Sequence, residues 1–60
     1  MELLNRLQAA EILGVSVATV DRLIKKGILP HRRIGGNIRF TAGDLEMFVD
    51  AAKIPAKGEA

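Results

Sequence analysis

The segment Gly14-Val15-Ser16 constrains the fold of this chain more than any other, because it combines the end of one helix with the start of the next. Glycine takes the left-handed conformation that ends a helix, and a serine hydroxyl accepts a hydrogen bond from a free amide in the first turn of a following helix. Only Val15 separates the two signals. So short a connection holds two helices at a steep angle, with the first bracing the second.

The second helix is predicted over residues 16–26, ending at Gly27. Its apolar residues recur at intervals of three and four, which places them on one face. The opposite face carries small side chains near its start and basic ones near its end. A helix of this kind can enter a DNA major groove with its first turns against base edges. The apolar face comprises Val17, Val20, Leu23 and Ile24, and the opposite face Ala18, Asp21, Arg22 and Lys25.

The first helix is predicted to begin at Asn5, with Gln8 completing a capping box, and to end at Gly14. Leu4, just before the cap, is placed to fold back on the first turn. With the second helix it would form a helix-turn-helix in which Ala10 lies at the closest approach. The expected apolar stripe is Leu7, Ala10 and Leu13, with Ala9 and Ile12 beside it, and Val15, Val20 and Leu23 complete the shared core.

The alternating residues after the second helix predict a β-hairpin. We expect Gly35-Gly36-Asn37 to form a three-residue loop, which puts Ile34 opposite Ile38 and Arg33 opposite Arg39. In this register Ile34 and Ile38 face inward. A two-residue loop would put Arg33 opposite Ile38 and break this sidedness. Two facing arginines repel each other unless a phosphate lies between them, and the alternative is a pair of solvated arginines on an edge ribbon.

The third helix is predicted to start at Thr41, with Asp44 in the capping box, after an inward-facing Phe40. It should pack under the hairpin and turn an acidic side outward, away from DNA. The chain then divides into a winged helix-turn-helix domain over residues 1–53 and a flexible tail or linker over residues 54–60. The expected buried stripe is Leu45, Phe48, Val49 and Ala52, and the acidic side is Glu46 and Asp50.

The basic residues are concentrated in one part of the chain. There are nine Lys and Arg against seven Asp and Glu, giving a net charge of +2. Six of the nine basic residues fall within residues 22–39, which hold no acid. A domain with one cationic side favours a polyanionic partner such as DNA. Lys and Arg also keep small proteins in solution, so the charge by itself does not decide the function.

Composition excludes several classes of protein. Sixty residues form one small domain that buries only roughly 60 % of its unfolded surface. There is no cysteine, and His31 is the single histidine, so we expect no metal site, no cofactor and no catalytic site. His31 is expected to be solvated or to lie beside a phosphate. No apolar run approaches the length of a membrane span, and we expect a soluble, cytoplasmic, nucleoid-associated protein.

The order of these elements resembles the excisionase-type branch of the MerR-like winged helix-turn-helix domains. The resemblance covers roughly residues 3–52 and implies a mostly α fold with a small two-stranded β-hairpin wing, in the order α-α-β-β-α. It implies that the second helix reads the major groove of double-stranded DNA and that the wing contacts the adjacent backbone or minor groove. The matching segments are AAEILGVS at 9–16, TVDRLI at 19–24, GILP at 27–30, RIGGNIRF at 33–40 and DL at 44–45.

Asp21 departs from the resemblance, because relatives often place an aromatic or basic residue there. It can accept from a cytosine amino group, pair with a cation, or face away from DNA, and we favour a pair with Lys25 at helical spacing. The implied DNA-binding residues are Ser16, Val17, Ala18, Thr19, Asp21, Arg22, Lys25 and Lys26 on the helix, and Arg33, Gly36, Asn37 and Arg39 on the wing.

Several functions remain open at this stage. The resemblance implies a bacterial or phage protein, either a small transcriptional regulator or an excisionase-like factor that directs a recombinase. Self-association, or a recombinase or polymerase partner on DNA, would supply the specificity that one small module lacks. The alternatives are a protein-interaction module that docks on an acidic partner and a DNA-packaging domain like the small subunit of phage terminase.

Overall fold

The computed structural model describes residues 2–53, and the predicted tail at residues 54–60 lies outside them. The order of elements is α-α-β-β-α, and the two strands form one antiparallel sheet. The predicted winged helix-turn-helix, mostly α with a small hairpin wing, is therefore confirmed. The elements are α1 (Arg6–Leu13), α2 (Val17–Lys25), β1 (Arg32–Ile34), β2 (Asn37–Arg39) and α3 (Ala42–Ala51).

All three helices begin at the predicted caps. The Asn5 side chain accepts from the Gln8 amide at 2.8 Å, and the Gln8 side chain accepts from the Asn5 amide at 2.9 Å. Thr41 and Asp44 form the same reciprocal pair at 3.0 and 3.1 Å. These boxes satisfy amides that have no partner within the helix, so local sequence is sufficient to fix where α1 and α3 start.

The connection between α1 and α2 is the predicted tight turn. Gly14 has a φ of +73°, a conformation that a side chain would strain, and the Val15 amide donates to the Ala10 carbonyl at 3.0 Å. Ser16 then caps α2 by accepting from the Thr19 amide at 3.1 Å. The two helices therefore meet with the small Ala10, which is buried, on the inner side of α1.

The core is small and draws on every helix and on the loop regions. Phe40, at the end of the wing, is completely buried, and its backbone pairs with that of Leu4 in an antiparallel bridge with N–H···O distances of 2.8 and 2.9 Å. Leu4 thus pairs with the residue that ends the wing. The buried apolar residues are Ala9, Ala10, Val20, Leu29, Phe40 and Leu45, with Leu4, Leu13, Val17, Leu23, Ile24, Ile38 and Phe48 packed against them.

Part of the burial predicted for the apolar residues of α1, α3 and the residues that follow them is wrong. Leu7 is 58 % exposed, Ile12 61 % and Val49 53 %, and Val15 and Ala52 are also at the surface. The reason is the small size of the core. Of α1 only Ala9 and Ala10 are buried, and the core does not cover the larger apolar side chains beside them.

The predicted register of the hairpin is also wrong. Only Gly35 and Gly36 form the loop, so Arg33 lies opposite Ile38 and Ile34 opposite Asn37. Both loop glycines have positive φ, +59° and +87°, as in a type I′ turn whose twist matches that of the flanking strands. All of β1 is exposed and Ile34 does not face inward. With no buried face on β1, the turn and not the apolar alternation sets the register. The facing arginines are consequently Arg32 and Arg39.

Candidate nucleic-acid interface

Helix α2 is anchored through one face and exposed on the other, as its sequence predicts. Val20 is fully buried, and Val17, Leu23 and Ile24 pack against the core. This leaves a surface that begins with a small side chain and continues with three cationic ones. The exposed residues of this face are Ala18, Arg22, Lys25 and Lys26.

The start of α2 presents two hydroxyl groups that are held in place. Ser16 Oγ lies 3.0 Å from Thr19 Oγ1 and accepts from the Thr19 amide. A hydroxyl combines one donor with two acceptor lone pairs, so each retains hydrogen-bonding capacity beyond this contact. Ser16 is exposed and Thr19 half-buried. The pair can therefore offer oriented polar groups to a ligand at the beginning of the helix.

A cleft joins the start of α1, the start of α2 and the wing. It brings five of the predicted binding residues together: Val17 from the helix and Arg33, Gly36, Asn37 and Arg39 from the wing. The corrected register leaves this set intact, although Arg33 and Arg39 no longer face each other across the ribbon. The other lining residues are Asn5, Arg6, Leu7 and Ile38.

Arg6 is a cleft residue that the sequence did not reveal. Its Nη1 donates to Asp21 Oδ1 at 2.9 Å, so Asp21 is paired with α1 and not with Lys25 as predicted. The helical spacing from Asp21 to Lys25 permits a pair but does not require one, and the bend between the helices offers a closer partner. Fifteen residues separate Arg6 and Asp21, and no local pattern marks the contact.

The wing is tied to α3 by a second arginine that sequence reasoning missed. Arg32 Nε and Nη2 lie 3.1 and 3.3 Å from the two carboxylate oxygens of Asp44, which form a fork between β1 and the start of α3. Burial raises the pKa of Asp44, but hydrogen bonds from Arg32 and from the Thr41 amide, with the charge of Arg32, more than offset this and lower that pKa below its ordinary value. Arg32 is thus engaged within the domain.

Two further contacts orient the basic segment. Arg39 Nη1 donates to the carbonyl of Ile38 at 2.8 Å, which lays that side chain along its own strand. His31 Nδ1 lies 2.9 Å from the Leu29 carbonyl and the residue is half-buried, so its ring is attached to the backbone rather than fully solvated. Arg33 lies on β1, whose three residues are all exposed.

The sequence profile of the helix-turn-helix domain family matches residues 3–53, which is most of the chain. The chain belongs to this helix-turn-helix family. Membership supports DNA binding by a helix-turn-helix protein, and it is consistent with the excisionase-type domain that the sequence resembles.

Relatives of this helix-turn-helix domain occur in Mycobacterium and in Pasteurella. It is 44 % identical over 50 residues to an uncharacterized protein of Mycobacterium tuberculosis, covering 83 % of this chain and 44 % of the relative. It is 39 % identical over 49 residues to an uncharacterized protein of Pasteurella multocida, covering 80 % of this chain and 71 % of the relative. The chain therefore spans less than half the length of its mycobacterial relative. No solved structure matches it significantly.

The other residues that are predicted to bind DNA lie along α2 and its caps, outside the cleft. They are Ser16, Ala18, Thr19, Asp21, Arg22, Lys25 and Lys26. The acidic residues Glu46 and Asp50 lie elsewhere and line a second groove together with Leu4, Ile12 and Val49. Within residues 2–53, no helix is long and apolar enough to cross a membrane.

Proposed function

We propose that this domain binds double-stranded DNA sequence-specifically, with α2 in the major groove and the wing on the adjacent backbone or minor groove. The observation that carries the proposal is the shared cleft, in which Arg33 and Arg39 of the wing lie beside Val17 at the start of α2. A duplex that admits the start of the helix would then present its phosphates to the wing.

The residues of the interface divide into two roles on this proposal. Ser16, Ala18, Thr19 and Arg22 are exposed or half-exposed on the leading turns of α2, where side chains reach base edges. The basic residues further along α2 and on the wing meet phosphates, which fix the register without reading sequence. The phosphate set comprises Lys25, Lys26, Arg33 and Arg39, with Gly36 and Asn37 offering backbone and amide groups at the turn.

The role in the cell that we propose is a small transcriptional regulator or an excisionase-like factor, without catalysis. One module offers few base contacts, so useful specificity requires several copies on DNA or a recombinase or polymerase partner. The mycobacterial relative is more than twice the length of the matched segment, so this role is proposed for the domain and not for the whole relative.

Selection from a random duplex library at moderate salt tests the proposal. We expect an enriched motif and a fall of log affinity with log salt with a slope of about −4, because the four cations of the phosphate set each contribute about −0.9. Charge reversal at Arg22 or at Arg39 should abolish retention of the duplex. A library without enrichment and binding without salt dependence would overturn it. Loss of only a protein partner in both variants would favour an interaction module instead.

A further inference from the structure

The pair between Arg6 and Asp21 lies at the border of the proposed interface. Arg6 is the first residue of α1, Asp21 lies on α2, and their side chains are 51 % and 45 % exposed. The same Arg6 lines the cleft that holds Arg33 and Arg39. One arginine thus reaches both an acid of α2 and the surface where we place the DNA backbone.

Asp21 is an unusual neighbour for a polyanion. It is the only acidic residue between Glu11 and Asp44, and it is followed directly by Arg22. A carboxylate near phosphates is repelled unless a cation neutralises it, and Arg6 supplies that cation in the free domain. The pair is half-exposed, so solvent screening leaves it little weight in the stability of the fold. We expect the pair to affect the affinity for DNA instead.

A carboxylate and a phosphate are alternative partners for the same guanidinium, because both accept its N–H groups in a similar geometry. Resting on the proposed function, we propose that Asp21 is an internal competitor of DNA for Arg6. Asp21 holds Arg6 in the free domain and on a mixed-sequence duplex, and Arg6 exchanges that carboxylate for a phosphate on a duplex whose bases α2 recognises. Lys25, four residues after Asp21 on the same helix, then has the spacing to neutralise the released acid.

Because of this exchange, the affinity for DNA that Arg6 adds depends on the base contacts that α2 makes. A duplex must displace Asp21 before Arg6 contributes, so every duplex is bound more weakly than the count of basic residues implies. Base contacts by α2 seat the cleft against the backbone and bring a phosphate within reach of Arg6, whereas on a random sequence the looser seating leaves Arg6 with Asp21. Asp21 therefore raises the ratio of specific to non-specific affinity.

A double-mutant cycle of Arg6→Gln, Asp21→Asn and the combination tests this, with a mixed-sequence 20-base-pair duplex as the probe over a range of salt. With Arg6 present, Asp21→Asn should tighten binding several-fold and steepen the salt slope by about 0.9, the change for one added phosphate contact. In the Arg6→Gln background it should leave the slope unchanged. Asp50→Asn removes an equal charge from α3 and should also leave the slope unchanged. Arg6→Lys keeps the positive charge, so it should retain most of the increase in the salt slope that Asp21→Asn produces.

Three results would overturn the competition. An equal change of slope on Asp21→Asn in both backgrounds would show an effect of overall charge. Weaker binding of Asp21→Asn to the selected motif, with a relaxed preference for cytosine, would make Asp21 a base reader. Unchanged affinity and slope on Arg6→Gln in the Asp21→Asn background would exclude a phosphate contact by Arg6. In each case wild-type binding survives, whereas absence of any salt-dependent duplex binding defeats the proposed function as well.

Discussion

The two halves of the proposed interface, helix α2 and the β1–β2 wing, are held to the domain by different kinds of contact. Helix α2 packs apolar side chains around the fully buried Val20. The wing has an entirely exposed first strand and is held by the Arg32–Asp44 fork, by a two-residue turn and by Phe40 where it joins the core. Apolar packing fixes the helix over a broad area, whereas a few specific contacts fix the wing. The wing is thus the half whose position single substitutions can change.

The largest effect is expected where the wing enters the core. Phe40→Ala should lower the free energy of unfolding by about 3–5 kcal/mol, because it empties a fully buried aromatic site. In so small a domain this is a large part of the total stability. Ile34→Ala, at a 49 % exposed site on the same wing, should stay within about 0.5 kcal/mol. Urea unfolding measures both, and similar losses would show that the wing is buried more evenly than the structure indicates.

Binding should separate the helix from the wing. Arg22→Ala should cost about 1–3 kcal/mol on the selected motif and relax the preference at one position, if Arg22 reads a base. Arg33→Ala should weaken all duplexes alike and reduce the salt slope by about 1, as expected for a phosphate contact. Titration of specific and mixed-sequence duplexes distinguishes them. If both variants changed affinity and salt slope in the same way, the division between base contacts by α2 and phosphate contacts by the wing would be wrong.

The turn of the wing offers a smaller and more local test. Gly36 has a φ of +87°, so Gly36→Ala should destabilise the turn by about 1–2 kcal/mol although its new Cβ meets nothing within 4 Å. Gly43→Ala is the matched control. Gly43 lies in α3 with ordinary helical geometry and 3.8 Å of space to Thr41 Oγ1, so alanine should stabilise by about 0.5–1 kcal/mol. Hydrogen exchange of the wing amides should rise only in the first variant. Unchanged exchange there would contradict a type I′ turn.

The sequence predicts those parts of the domain that depend on neighbouring residues. Asn5, Ser16 and Thr41 cap helices by bonding amides three residues on, so each helix start can be read locally. Apolar alternation predicts the wrong hairpin register, because the conformations open to Gly35 and Gly36 set the turn. Helical spacing predicts the wrong partner for Asp21 for a related reason, since Lys25 is near in sequence while Arg6 is near only after α1 and α2 pack. Two contacts between distant residues, Arg6–Asp21 and Arg32–Asp44, had no signal in the linear pattern.

Acid unfolding tests the fork that holds the wing to α3. The pKa of Asp44 is lowered from its ordinary value of 3.8, so its carboxylate stabilises the fold at higher pH. This contribution is complete above the unfolded-state pKa and is lost as the pH falls through the lower folded-state pKa. The advantage of the wild type over Asp44→Asn in unfolding free energy should therefore be constant near neutrality and shrink below about pH 4. Arg32→Gln should flatten the acid dependence, because it removes the partner that lowers the pKa and leaves the burial that raises it. The measurement should run from pH 2 to 6, about two units on either side of that pKa. Parallel curves for wild type and Asp44→Asn over this range would mean that the fork does not hold the wing in solution. The turn and Phe40 alone would then position the wing beside α2.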